Sequence, residues 1–154
     1  RDLKNFRGLD FFEFDSSYVV YAKIQETVDS PPFKMKTTTD TPADFRKYGT
    51  LIFNINDEQY KLTAYENLDY LDVEGYENYL FLPFLDKTNG YETYGGGRYI
   101  DLYQYDNDSI LIDFNRAYNP QCVYDENFSC PIVPRNNLLN IRVEAGVKNF
   151  VSSY

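Results

Sequence analysis

TLIFNINDEQYKLTAY, Thr50 to Tyr65, holds two short alternating runs joined by a turn, and its reading decides the fold class of the chain. Leu51, Phe53 and Ile55 mark one face of the first run, Asn56-Asp57-Glu58 supplies turn chemistry, and Tyr60, Leu62 and Ala64 mark one face of the second. Period two is the pattern of a pleated strand with one buried face, and two such runs about an Asn/Asp turn form an antiparallel hairpin.

The same alternation extends outward. Tyr18 to Gln25 puts Tyr18, Val20, Ala22 and Ile24 on one face and Val19, Tyr21, Lys23 and Gln25 on the other. Further strands are expected at Phe33 to Thr39, Tyr79 to Leu85, Arg98 to Tyr105, Ser109 to Arg116 and Leu138 to Ala145, about eight in all. Pro31-Pro32, Pro42, Gly75, Asn89-Gly90, Pro120, Pro131 and Pro134 punctuate them, and no stretch carries three turns of helical pattern. The expected fold is all-β, an antiparallel β-sandwich or partly open barrel, with short helical turns near Ala43 to Tyr48 and Asn67 to Leu71. No repeat or linker divides the chain, so residues 1–154 read as a single domain. Its length allows burial of about two thirds of the unfolded surface. The segment Ala117 to Asn137 lacks strand pattern and is long for a compact domain, so it is functional or tied down.

Composition excludes several chemistries. Sixteen Tyr and twelve Phe with no Trp suit half-buried sheet surfaces. A net charge of −9 disfavours nucleic acid and anionic lipid as partners. With no histidine there is no Ser-His-Asp or Cys-His relay and no imidazole ligand for a metal, so neither metal nor cofactor is expected. No apolar run of about eighteen residues occurs, so no membrane span is expected. The opening on Arg1 suggests a mature or trimmed chain.

The densest polar and glycine-rich block runs from Glu92 to Asn137. Within it, Arg98 to Tyr105 and Ser109 to Arg116 are expected to pair across a turn at Asp106-Asn107-Asp108, setting Ile100 opposite Phe114 and Leu102 opposite Ile112. The other face then places Asp101 opposite Asp113 and Tyr99 opposite Asn115. Facing carboxylates repel unless a cation, a donor or water relieves them, and Arg98, Arg116 and Arg135 are the available cations. The run Gly95-Gly96-Gly97 has no following Lys-Ser/Thr and no helix, so it reads as a bulge or tight corner rather than a phosphate loop. Cys122 and Cys130, bracketed by Pro120 and Pro131, are too few for a zinc site and lack an activating histidine. They read as a disulfide or a structural thiol pair, the bond requiring an oxidising compartment and contributing on the order of 2–3 kcal/mol.

Read together, ETYGGGRYIDL (Glu92 to Leu102), IDFNRAYNPQCVY (Ile112 to Tyr124) and CPIVPRNNLL (Cys130 to Leu139) resemble the bacterial and archaeal family called domain of unknown function 1684, in its short single-domain version. RGLDFFEFDSSYVVYAKI extends the resemblance over nearly the whole chain. It implies a fold unit without an activity, and a location in the envelope or outside the cell. Two positions depart from the family pattern: Asn137 stands where Arg is common, and Gln121 where Pro is usual.

Three functions follow as expectations. The first is a noncatalytic module binding a small polar ligand, such as a sugar, or a protein partner, through Glu92, Arg98, Tyr99, Asp101, Asp113, Asn115, Tyr118, Asn119 and Arg135. The second is a hydrolase with Glu92 and Asp113 as a carboxylate pair and Arg98 as electrostatic stabiliser. The third is a buried network of Arg98, Asp113, Asn115 and Asn119 that pins the long loop without binding anything.

Overall fold

The computed structural model describes residues 9–105 and 108–150. Its strands are β1 (Val19–Glu26), β2 (Phe33–Met35), β3 (Ala43–Ile55), β4 (Glu58–Asn67), β5 (Tyr79–Phe84), β6 (Arg98–Tyr103) and β7 (Ser109–Asp113). All seven belong to one antiparallel sheet in the order β6-β5-β4-β3-β1-β7, with β2 also paired to β3. The sheet curls into a half-barrel, so the partly open barrel is the arrangement that forms.

The hairpin of β3 and β4 forms as its sequence dictates, with Leu51, Phe53 and Ile55 buried against Leu62 and Ala64. Its turn is tighter than expected. Ile55 pairs with Glu58, leaving only Asn56 and Asp57 in the loop, both at positive φ (48° and 70°), the region a two-residue hairpin turn needs and Asn and Asp tolerate. Other expected elements change: the strand expected to run to Thr39 ends at Met35, and the one expected to run to Arg116 ends at Asp113 in a 3₁₀ turn, Phe114–Arg116. Ala43 to Tyr48 is the start of β3 rather than a helical turn, because Phe45 is drawn into a second core. Leu138 to Ala145 makes no strand; Leu139, Val143 and Ala145 instead drop into the main core from an irregular segment. The short helical turn after β4 does form, as a 3₁₀ turn at Leu68–Tyr70.

The concave face of the sheet holds the main core, to which β6 contributes Ile100 and Leu102 and β7 contributes Ile110 and Ile112. The opposite face of the β3–β6 region carries a second core of Met35, Phe45, Tyr65, Phe81, Tyr99 and Val133. This is why β5 is buried on both faces and why so long a connection follows β7: residues 128–134 lie over that outer face, tied by Thr38 N–H to Cys130 O (3.0 Å) and Ile132 N–H to Lys36 O (2.8 Å).

The expected β6–β7 hairpin is not the pairing that forms. Ile100 lies opposite Leu82 and Leu102 opposite Leu80, while Ile112 lies opposite Val20 and Ile110 opposite Ala22. Asp101 therefore faces Phe81, and Asp113 faces Val19. β5 and β1 offer β6 and β7 apolar partners as well matched as those they would offer each other, so hydrophobic register alone does not choose between them. The two strands end up as the opposite edges of the curled sheet, brought side by side with no ladder described between them. Asp106 and Asn107 of the expected turn lie outside the described residues.

Candidate ligand-binding site

The seam between β6 and β7 is a groove of about 410 Å³. Strand alternation sends Ile100 and Leu102 inward and turns Asp101 and Tyr103 out, and on β7 it turns out Leu111 and Asp113. Tyr105, Arg116 and Tyr118 complete the lining. Tyr118 is placed by a two-way backbone pairing with Tyr99, N–H to O at 2.9 Å in each direction, which lays the start of the long loop along the outer edge of β6.

Asp101 is the centre of this groove. One of its carboxylate oxygens accepts the hydroxyls of Tyr118 (2.6 Å) and Tyr79 (2.9 Å), the latter reaching over from β5. These donors answer the requirement for relief of the carboxylate, with no cation in contact among the described ion pairs. Burial, with the neighbouring Tyr and Asp101 charges added, pushes both phenols well above the usual tyrosine range, so they stay protonated and donate. Tyr79 also belongs to a chain of rings, with centroids 5.9 Å from Tyr70, 5.3 Å from Tyr76 and 5.8 Å from Tyr103. On the far side of Tyr118 a second, aromatic cavity of about 270 Å³ lies under the long loop, sharing Tyr118 with the groove and bounded by Tyr79, Phe81, Asn119, Phe128 and Cys130.

The other residues proposed from sequence divide between the seam and the scaffold. Asp113 lines the groove while one of its oxygens accepts the Asn115 backbone N–H and side-chain amide, both at 2.9 Å. Asn115 itself clamps Asp15, accepting its N–H and donating to its carbonyl, each at 2.9 Å. Tyr99 is buried, donates its hydroxyl to Pro131 O and has its pKa raised by burial. Asn119 is buried against the aromatic cavity, donates to Tyr124 Oη (3.0 Å) and Lys148 O (3.4 Å), and leaves its Oδ1 without a partner among the described residues. Arg135 is exposed and lines neither cavity. Glu92 pairs with Arg142 near the surface and is not part of the seam.

Arg98 is the main correction. Its exposure is 0%, and its guanidinium donates to the carbonyls of Val147 (3.1 Å), Val143 (3.0 Å) and Ala145, pairs with Asp86 (3.4 Å), and stacks over Phe84. Burial lowers its pKa and Asp86 opposes that shift, and an arginine of this kind stays charged. The guanidinium is sealed among carbonyls with only its Nε left without a partner among the described residues, so it does not face the groove, and Glu92, Arg98 and Asp113 lie in three separate settings: a surface pair with Arg142, the interior and the seam. The buried network is real but has other members: Asp86 also accepts Val143 N–H (2.7 Å) and the Thr88 hydroxyl (2.8 Å), and Thr88 contacts Thr93 (2.9 Å). Asn137 is a further structural residue. Its amide accepts Thr63 N–H and donates to Thr63 O and Pro83 O, all at 2.8 Å, bridging β4 and β5 where the two strands no longer pair.

Fold and groove together define a class: a small all-β domain with an unclosed, curled sheet and a polar site at its seam. Within that class, the chain belongs to the family described as protein of unknown function DUF1684, whose model matches residues 4–148. A solution NMR structure of an uncharacterised protein from Haloarcula marismortui is similar, at 34% identity and a TM-score of 0.74, covering 94% of this chain and 78% of that one. Curated proteins contain no match. No helix among the described residues is long and apolar enough to cross a membrane.

Proposed function

We propose that this domain is a noncatalytic binding module whose β6–β7 seam takes a small, polyhydroxylated ligand of the sugar class. The observation that carries the reading is the convergence of the Tyr79 and Tyr118 hydroxyls on Asp101 in an open groove. A carboxylate oriented by two fixed donors keeps its other oxygen free to accept ligand hydroxyls, Arg116 supplies a donor, and tyrosine rings offer flat apolar faces with polar tips. A groove of about 410 Å³ is of small-ligand size. The envelope or extracellular location implied by the family resemblance would suit such a module and is part of the proposal.

The test is an amide-shift titration of isotope-labelled protein with a panel of mono- and disaccharides. Saturable shifts should centre on Asp101, Tyr103 and Tyr118 and vanish in a folded Asp101→Ala variant. Shifts that arise elsewhere, or that survive the substitution, would sink the assignment of the seam.

A further inference from the structure

The Cys122–Cys130 pair sits where it controls a wall of the aromatic cavity. Cys130 is anchored from both sides of its peptide to Thr38, whose N–H donates to Cys130 O (3.0 Å) and whose hydroxyl accepts Cys130 N–H (3.1 Å). Its sulfur accepts the backbone N–H of Cys122 at 3.0 Å, within the 3₁₀ turn Gln121–Val123. The two sulfurs are thus neighbours, separately bordering a void of about 50 Å³ and unbonded. Tyr94 reaches the same place, lining the void together with both cysteines. Gly96 makes that reach: a Cβ there would lie 2.5 Å from the Tyr94 ring. Cys130 also borders the aromatic cavity, together with Phe128 and Ser129 from the segment the pair brackets and Gln121 just before it. Within that segment the backbone-to-backbone bonds are local, Val123 to Pro120, Tyr124 and Asp125 to Gln121, and Phe128 to Asp125, and the outward ties at its end run through side chains, the Thr38 hydroxyl to Phe128 O (3.1 Å) and the Thr39 hydroxyl with Ser129 Oγ.

We infer that Cys122 and Cys130 form a reversible thiol–disulfide switch whose closure fixes the 121–129 wall of the aromatic cavity. The co-reactant is a small-molecule disulfide of the glutathione type. Cys122 is half-buried and Cys130 buried, so Cys122 is the sulfur such a disulfide can reach. Its thiol loses a proton and attacks, forming a mixed disulfide and releasing one small thiol. Cys130 then loses its proton and attacks the Cys122 sulfur, expelling the second small thiol. Two protein thiols are oxidised and one disulfide is reduced to two thiols. Burial, with the hydrogen bond to Cys122 added, pushes the Cys130 thiol up to about 11, which keeps it protonated near neutral pH until it is called on for the second step.

The experiment needs no ligand of the seam, so it stands or falls separately from the binding proposal. The whole protein is equilibrated in buffers of reduced and oxidised glutathione, quenched by alkylation and weighed by mass spectrometry, and amide hydrogen exchange is followed in each form. A single transition between dithiol and intramolecular disulfide is expected, with exchange at Val123, Tyr124, Asp125 and Phe128 slowed on the order of tenfold in the oxidised form. Cys130→Ser should accumulate the mixed disulfide at Cys122, and Cys122→Ser should leave Cys130 largely unmodified. Failure to oxidise in excess oxidised glutathione, equal modification of the two single variants, or identical exchange in both redox forms would each overturn the switch.

Discussion

Replacing Arg98 with methionine separates the scaffold reading of the Glu92–Asn137 block from a functional one, and the structure sets the size of the effect. The side chain is wholly enclosed, so no solvent replaces what is lost. Three carbonyls, those of Val143, Ala145 and Val147, lose a charged donor, and Asp86 loses its counter-ion at 3.4 Å. Asp86 keeps the Val143 N–H, Thr88 and Asn89 donors, which moderates the charge penalty. Breaking a buried pair from one side costs about 3–5 kcal/mol, and orphaned buried acceptors add to it, so about 4 kcal/mol or more is expected against a total domain stability of roughly 5–15 kcal/mol. In a domain of this size that is a fall of roughly 8–16 °C in melting temperature. Circular dichroism melts and urea unfolding of Arg98→Met measure it, with Glu92→Gln as a control that removes only a surface pair worth about 0–1 kcal/mol. The double variant Asp86→Asn/Arg98→Met should recover part of the loss, because the uncompensated charge is gone. A loss below about 1 kcal/mol in Arg98→Met would refute the keystone role, since no such enclosed guanidinium can be removed that cheaply if it holds the 143–147 segment to the sheet.

Further perturbations probe other parts of the same molecule. Asn137→Ala removes three hydrogen bonds between β4 and β5 and should cost about 3 kcal/mol by urea unfolding; a value near zero would show that the strands close the gap themselves. Gly97→Ala places a Cβ 2.6 Å from Phe84 O at a φ of +95°, so it should lower the melting temperature far more than the same change at exposed Gly90, where nothing lies within 4 Å. In an absorbance titration, Tyr79 and Tyr99, raised by burial, and Tyr118, raised by burial of its hydroxyl and its bond to Asp101, should stay protonated until the domain unfolds; full ionisation of all sixteen tyrosines before unfolding would contradict the placement of those hydroxyls. For the Cys130 thiol, raised from 9 to about 11, the sign is that of a group binding its proton more tightly when folded. Its contribution to the reduced protein is complete below about pH 9 and lost as pH rises through about 11, and a Cys130→Ser variant should lack that component in melts across the window.

Local pattern carried most of the fold. Alternation at Leu51, Phe53 and Ile55 against Leu62 and Ala64 is enough to define a hairpin, and Ile100, Leu102, Ile110 and Ile112 point inward as their spacing requires. What alternation does not carry is which strand lies beside which. Leu80 and Leu82 on β5 match β6, and Val20 and Ala22 on β1 match β7, so a hydrophobic face has several equivalent partners and the curl of the whole sheet decides among them. Leu138 to Ala145 was misleading for a related reason: its apolar residues are buried, but by an irregular segment that meets the chain after β5 only in a short bridge, Leu139 N–H to Leu85 O and Lys87 N–H to Ile141 O, and then bonds to the side chains of Asp86 and Arg98 instead of continuing a ladder.

The site was legible in part, and the division follows the two faces of β6. Tyr99, Asp101 and Tyr103 alternate with Ile100 and Leu102, so an outward polar set was readable, and Asp101 and Tyr118 do meet in the seam. Arg98 stood in the same motif and was expected to join them, yet as the first residue of β6 it is in phase with Ile100 and Leu102 and points to the interior. Its charge is explained by an event far away in sequence, the return of residues 143–147 with their carbonyls unpaired, and a buried acceptor without a donor costs more than the burial of one well-enclosed guanidinium. The structural roles of Asp86 and Asn137 were hidden for the same reason, since nothing in their own neighbourhoods announces that distant backbone needs them, and Thr88 and Thr93 enter only as local partners around Asp86. A polar residue in this chain is therefore judged by where its donors and acceptors end. Those that end on backbone hold the sheet curled, and the curl brings the two edge strands together, leaving Asp101 and its two tyrosines in the opening between them.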